Sequence, residues 1–184
     1  MGKFRWPTHP IICCRDKRDA ERVQRALEQR LKKFGLELNA EKTKTIKFNK
    51  REVPAIKQDV FDFLGFTFYI RRSRKGYIHV AIKTARERFY SKLRKVKMWC
   101  KENRSKKKLL ELWKIFCSKL RGHVQYYGVS LNTDGVHCFI QQATKIFFKW
   151  MNRRSQKKSF NWEQFSKFLE SFPAPKAKIC HRLF

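Results

Sequence analysis

The hydrophobic period of this chain changes once, at Lys83–Thr84, and that change constrains the fold more than any other feature. Before it, "FDFLGFTFYIRR" and "GYIHVAIK" are β-rich runs separated by "RRSRKG", a connection containing Gly76 that reads as a hairpin. After it, apolar residues recur at helical spacing: Phe89, Leu93, Val96 and Trp99 in one run, then Leu109, Leu112, Trp113, Phe116, Leu120 and Val124. Thr84 and Ser105 are placed to cap these two helices. Val136 to Arg153, with Phe139, Ile146, Phe147 and Trp150, predicts a third helix, "GVSLNTDG" the loop before it and "NWEQFSKFLESF" a shorter fourth. The tail "PAPKAKICHRLF" is punctuated by proline and reads as irregular or extended. The expected fold is α+β, a small β-rich piece over 1–83 followed by an all-helical piece over 84–184.

The β-rich piece has a helix of its own. From Asp16, the positions Ala20, Val23, Leu27, Leu31 and Phe34 form an apolar stripe, Arg and Lys stud the outer face, and Gly35 suits the C-terminal cap. "GLELNAEKTKTIKF" then reads as a strand at Leu36 and Leu38, a turn at Asn39-Ala40-Glu41-Lys42, and a strand from Thr43 to Phe48. A further strand is expected at Ile11 to Cys14. Its introduction by Pro-Thr-His-Pro is odd, because two prolines so close together cannot both donate to a sheet ladder.

Charge narrows the function. The 184 residues carry 45 Lys and Arg against 15 Asp and Glu, a formal +30 spread along the whole length. Self-repulsion of that size disfavours a compact monomer until a polyanion neutralises it, so nucleic acid is the expected partner. The aromatic content of 15% suits base stacking, and 42% hydrophobic residues suffice for a core. No apolar run approaches the roughly 20 residues that span a bilayer. "MGKFRWPTHP" lacks the apolar region of a signal peptide, and Trp6 stands where a myristoylation start requires Ser or Thr. An interior location, prokaryotic cytoplasm or organelle, is therefore expected. The six cysteines have no C-x-x-C spacing, which argues for reduced thiols over zinc or disulfides. Glycine-rich phosphate loops and H-E-x-x-H are absent, and Asp59 and Asp62 have no second carboxylate cluster to support two-metal chemistry.

Four segments in order, "GLELNAEKTKTIKF", "FDFLGFTF", "LRGHVQYYG" and "NRRSQKKSFNWEQF" with a Pro-rich end bearing "ICH", resemble the C-terminal half of a group II intron reverse transcriptase/maturase. The likeness covers essentially the whole chain. It implies the last part of a polymerase palm over 1–83, then the thumb and maturase-specific domain. In that family the strand corresponding to "IICC" follows an Arg-Tyr-Ala-Asp-Asp turn whose aspartates hold catalytic Mg²⁺. Here Arg5 matches, but Trp6-Pro7-Thr8-His9 occupy the turn. Neither Thr8 nor His9 replaces the carboxylate charge that two-metal phosphoryl transfer requires. The resemblance thus implies no polymerase activity and no cofactor, Mg²⁺ being needed only by an intact polymerase.

The binding elements implied by the resemblance are present. Lys42, with Lys44 beside it, matches a lysine near the leaving pyrophosphate, which without a metal site becomes a phosphate contact or a solvated side chain. Phe63, Leu64 and Gly65 match a primer-grip turn, where glycine permits close backbone approach or simply turns a hairpin. Arg121, His123 and Tyr126 belong to the thumb or maturase region that grips intron RNA, and are expected to form a basic, aromatic face. Arg153, Arg154, Lys157 and Lys158 make a cationic loop suited to phosphate. The expected function is binding of structured RNA, through shape, phosphates and stacking, to help it fold and splice. The alternatives are the C-terminal half of a split RNA-directed DNA polymerase completed by a separate N-terminal partner, and a pseudogene product that folds poorly. With no HNH-type cluster of His and Cys after the maturase-like region of this sequence, DNA endonuclease activity is not expected.

Overall fold

The computed structural model describes residues 11–39, 43–46, 60–153 and 161–183. Within them lie five helices and three strands: α1 (Lys17–Lys32), β1 (Phe61–Phe63), β2 (Phe66–Arg72), β3 (Ile78–Thr84), α2 (Arg86–Asn103), α3 (Leu109–Tyr127), α4 (Thr133–Met151) and α5 (Trp162–Ser171). The protein is mixed α and β, mostly helical, as the change of period at Thr84 requires.

The strands form an antiparallel meander in the order β1-β2-β3. The run "FDFLGFTFYIRR", expected as one β-rich unit, is folded in two by a turn at Leu64-Gly65 that pairs Phe63 with Phe66. Both turn residues have positive φ, 49° at Leu64 and 82° at Gly65, the twist that a two-residue hairpin demands. The second hairpin closes where "RRSRKG" predicts, with Gly76 at φ 85° and the Ser73 amide donating to the Tyr77 carbonyl.

Helices α2, α3 and α4 pack as a bundle, and α5 closes its end. Trp113 is the hub: its ring lies 5.1 Å from Phe147, 5.4 Å from Phe116 and 5.6 Å from Phe168, while its indole N–H donates to the Phe172 carbonyl at 2.9 Å. Buried aromatic contacts of this kind stabilise beyond their area alone. A capping box starts α5: Asn161 Oδ1 accepts from the Gln164 amide and Gln164 Oε1 accepts from the Asn161 amide. After α5 the tail is irregular, as expected. It is nevertheless pinned, because the Cys180 and His181 amides donate to the Gly128 carbonyl at 2.6 and 3.0 Å.

One buried side chain ties sheet to bundle. Asn132, ahead of α4, accepts from the Thr84 amide at 2.8 Å and donates to Thr84 Oγ1 at 3.0 Å and to the Tyr127 carbonyl at 2.8 Å. Thr84 is therefore the last residue of β3 and not a helix cap; Ala85 precedes α2 and offers no capping side chain. Ser105 does not cap α3 either, because the chain turns through residues 104–107 and enters the helix only at Leu109. The third helix begins at Thr133, three residues before the expected Val136, and ends at Met151.

In the N-terminal region α1 and the positive φ of Gly35 (67°) match expectation. The strand expected at Ile11–Cys14 does not form: these residues have no regular structure and no partner strand among the described residues. Leu36–Asn39 and Thr43–Ile46 likewise form no strand; the rest of that expected strand-turn-strand lies outside the described residues. A strand needs a neighbour to satisfy its ladder, and alternation alone supplies none. No described helix is long and apolar enough to cross a membrane.

Candidate nucleic-acid interface

The β1–β2 turn lies against the end of α3. Tyr126 Oη donates to the Leu64 carbonyl at 2.8 Å, and its ring stacks on Phe66 with 5.9 Å between centroids and 10° between planes. Leu64 combines a left-handed backbone with an exposed apolar side chain, an arrangement that costs energy unless its surroundings hold it. The Tyr126 hydroxyl supplies such a hold. Gly65 is required here twice over: its φ excludes most side chains, and a β-carbon would sit 2.9 Å from the Tyr127 hydroxyl. The close approach that the sequence pattern suggested is made, but to this chain's own tyrosine.

Helix α2 supplies the charge. Lys92 Nζ stands 4.5 Å from the Tyr127 ring centre and 5.6 Å from that of Tyr126, within cation–π range of both. Partial burial, reinforced by Lys95 and Arg88, pulls the Lys92 amine below the usual lysine range. Arg88, Lys92 and Lys95 have no ion-pair partner among the described residues. Further along, Lys119 of α3 stands 5.4 Å over the Trp99 ring of α2. Between Lys119 and Tyr126, a β-carbon on Gly122 would meet nothing within 4 Å, so the α3 surface stays low there. The result is a cationic, aromatic face running from the Leu64 turn along α2 and α3. Unpaired cations crowding one another are stabilised by a ligand that brings phosphates.

Placement of the expected binding residues follows from this geometry. Leu64, Gly65 and Tyr126 come together, with Phe63 half-buried in β1 beside them. Arg121 is exposed but lies five residues from Tyr126, about 140° around an α-helix, so the two do not share a face. His123 is inside: it is 4% exposed, and its ring stacks 3.6 Å from that of Phe139. Burial, with Lys92 nearby, pushes its imidazole down to about 3, and neither ring nitrogen has a hydrogen-bond partner among the described residues. The expected contact from His123 to RNA is therefore replaced by a core position. Lys44 is exposed in coil, and Arg153 packs its guanidinium 5.1 Å over the Trp150 ring at the end of α4. Lys42, Arg154, Lys157 and Lys158 lie outside the described residues.

The chain matches no protein-family model, no curated protein and no solved structure. Sequence reasoning misses Arg88, Lys92, Lys95, Lys119 and Trp99 as binding residues, because 45 cations distributed along the chain make no one of them conspicuous. The available signal is the helical spacing of Arg88, Lys92, Lys95 and Trp99, which puts three cations and an aromatic ring on one side of α2. No group of three or more His, Cys, Asp or Glu among the described residues is arranged to hold a metal ion.

Proposed function

We propose that this protein binds structured RNA through the face formed by the Leu64 turn, α2 and α3, as a remnant of a group II intron reverse transcriptase/maturase that grips RNA without performing phosphoryl transfer. What supports the reading most is the hydrogen bond from Tyr126 to Leu64, across 62 residues of chain. It joins the two motifs that the family resemblance marks as primer grip and thumb, and sets the Lys92 cluster beside them. Phosphates would lie against Arg88, Lys92, Lys95 and Lys119, with bases or riboses over the exposed Tyr126 ring. In this reading catalysis is absent because Trp6-Pro7-Thr8-His9 replace the aspartate turn.

The test is binding of the full chain to a group II intron RNA and to an unrelated structured RNA of equal length, across a salt series. Preference for the intron RNA that persists at moderate salt, and that Lys92→Met reduces, is the expected result. Equal binding that collapses with salt, indifferent to Lys92→Met, would leave only polycation behaviour.

The second reading, a split polymerase completed by a separate N-terminal chain, is favoured by one observation. The apolar stripe of α1 has no buried residue among those described, and Val23 and Phe34 are exposed. Co-purification with such a chain and primer extension by the mixture would support it.

A further inference from the structure

Helix α2 carries a second line of cations on its opposite flank. Arg86, Tyr90, Arg94, Lys97 and Lys101 follow one another at spacings of four, four, three and four, a straight track about 22 Å long. By helical geometry this track is centred about 170° around α2 from the Arg88, Lys92, Lys95 and Trp99 side, so the two cannot serve one ligand strand. Between them on the solvent side lie the acids of α2, Glu87 and Glu102, which further separates the flanks. The track borders a groove between α2 and α4 of about 370 Å³, lined by Tyr90, Leu93, Arg94, Lys97 and Ile146.

The chemistry of that groove is selective. Its wall is apolar, from Leu93 and Ile146, with a half-exposed aromatic ring, Tyr90, beside them. Its rim is purely cationic, with Arg94 and Lys97 free of ion pairs among the described residues. Arg86 adds a guanidinium 5.9 Å over the Tyr90 ring. Volume at the lower end of the roughly 300–1,000 Å³ usual for ligand sites suits a planar group rather than a helix or strand. A shallow, open apolar groove with an aromatic ring and a cationic rim fits a nucleotide whose base has left its helix.

We propose that the α2–α4 groove is a second RNA site that takes one unpaired nucleobase, stacked on Tyr90, with the flanking phosphates on Arg94 and Lys97. The inference rests on the RNA-binding reading above, and it adds a consequence. A chain holding an unpaired base on one flank of α2 and an RNA helix on the other fixes two RNA segments about one helix diameter apart.

The experiment compares a perfect RNA duplex with the same duplex bearing a single bulged 2-aminopurine, using the full chain, Tyr90→Ala, Arg94→Glu and Lys92→Met. Tyr90→Ala is expected to weaken the bulged RNA about tenfold and to abolish the change in 2-aminopurine fluorescence, leaving the duplex unaffected. Arg94→Glu, at an exposed position, should weaken the bulged RNA preferentially without lowering the melting temperature. Equal loss on both RNAs, or no loss on either, overturns the second site while Lys92→Met still reports on the first. Failure of the unaltered chain to bind either RNA overturns both readings.

Discussion

His123 shows how one residue's surroundings can reverse its expected role. A histidine in a basic, aromatic segment suggests a ligand contact, yet its ring is sealed between Phe139 and Tyr127. Its imidazole titrates at about 3 in the fold against 6.5 in the unfolded chain, so the unfolded state binds the proton first. Stability is full above pH 6.5 and falls as pH drops from there toward 3, by several kcal/mol in total. His123→Phe should remove most of that acid sensitivity while keeping the stack, as an acid titration followed by circular dichroism would show. Lys92 has the same sign of shift for a base of higher pKa. Its charged form is disfavoured by the fold at neutral pH, and that cost is relieved only as pH rises toward 10.5. Lys92→Met should therefore raise the melting temperature of the free protein and weaken RNA binding, a pairing typical of a residue kept for function. Gly65→Ala should cost about 1–3 kcal/mol, since φ strain and the Tyr127 hydroxyl both oppose a β-carbon. Adding Tyr127→Phe should restore part of that loss in thermal melts.

At the scale of elements, the helical stripes were legible and their starts were not. Leu112, Trp113, Phe116, Leu120 and Val124 are buried as their spacing predicts, because a helix buries the side that is apolar. Thr84 and Ser105 misled because a hydroxyl before an apolar run is only one way to begin a helix, and Thr84 is engaged by Asn132 instead. That partner is 48 residues away, beyond any local signal. Asn132→Ala would leave the Thr84 amide unpaired in a buried place, while the Tyr127 carbonyl would keep the Val129 amide, a loss of about 1–3 kcal/mol. Hydrogen exchange should show β2 and β3 amides deprotected before those of α3, since Asn132 is the latch between them. The apolar run 11–14 and the alternating segments 36–39 and 43–46 failed as strands for the complementary reason: each has strand character, and the described structure gives none a partner.

For the whole molecule, the charge of +30 makes salt act in opposite directions on folding and on binding. Added salt screens cation against cation, so the melting temperature should rise from about 50 to 200 mM. RNA affinity over the same range should fall steeply, because released counterions drive the association. Differential scanning fluorimetry and binding titrations on one salt series check both signs together. The sequence by itself determined the class of fold, the helical core around Trp113 and the strongly cationic surface, because periodicity and net charge are sums over many residues that no single contact can overturn. Tertiary structure alone decided that Leu64 meets Tyr126, that His123 turns inward, and that Lys92 of α2 comes to rest against Tyr126 and Tyr127. Those outcomes depend on where elements distant in the chain come to rest, and packing, which chooses among the faces a helix offers, has no local sequence code.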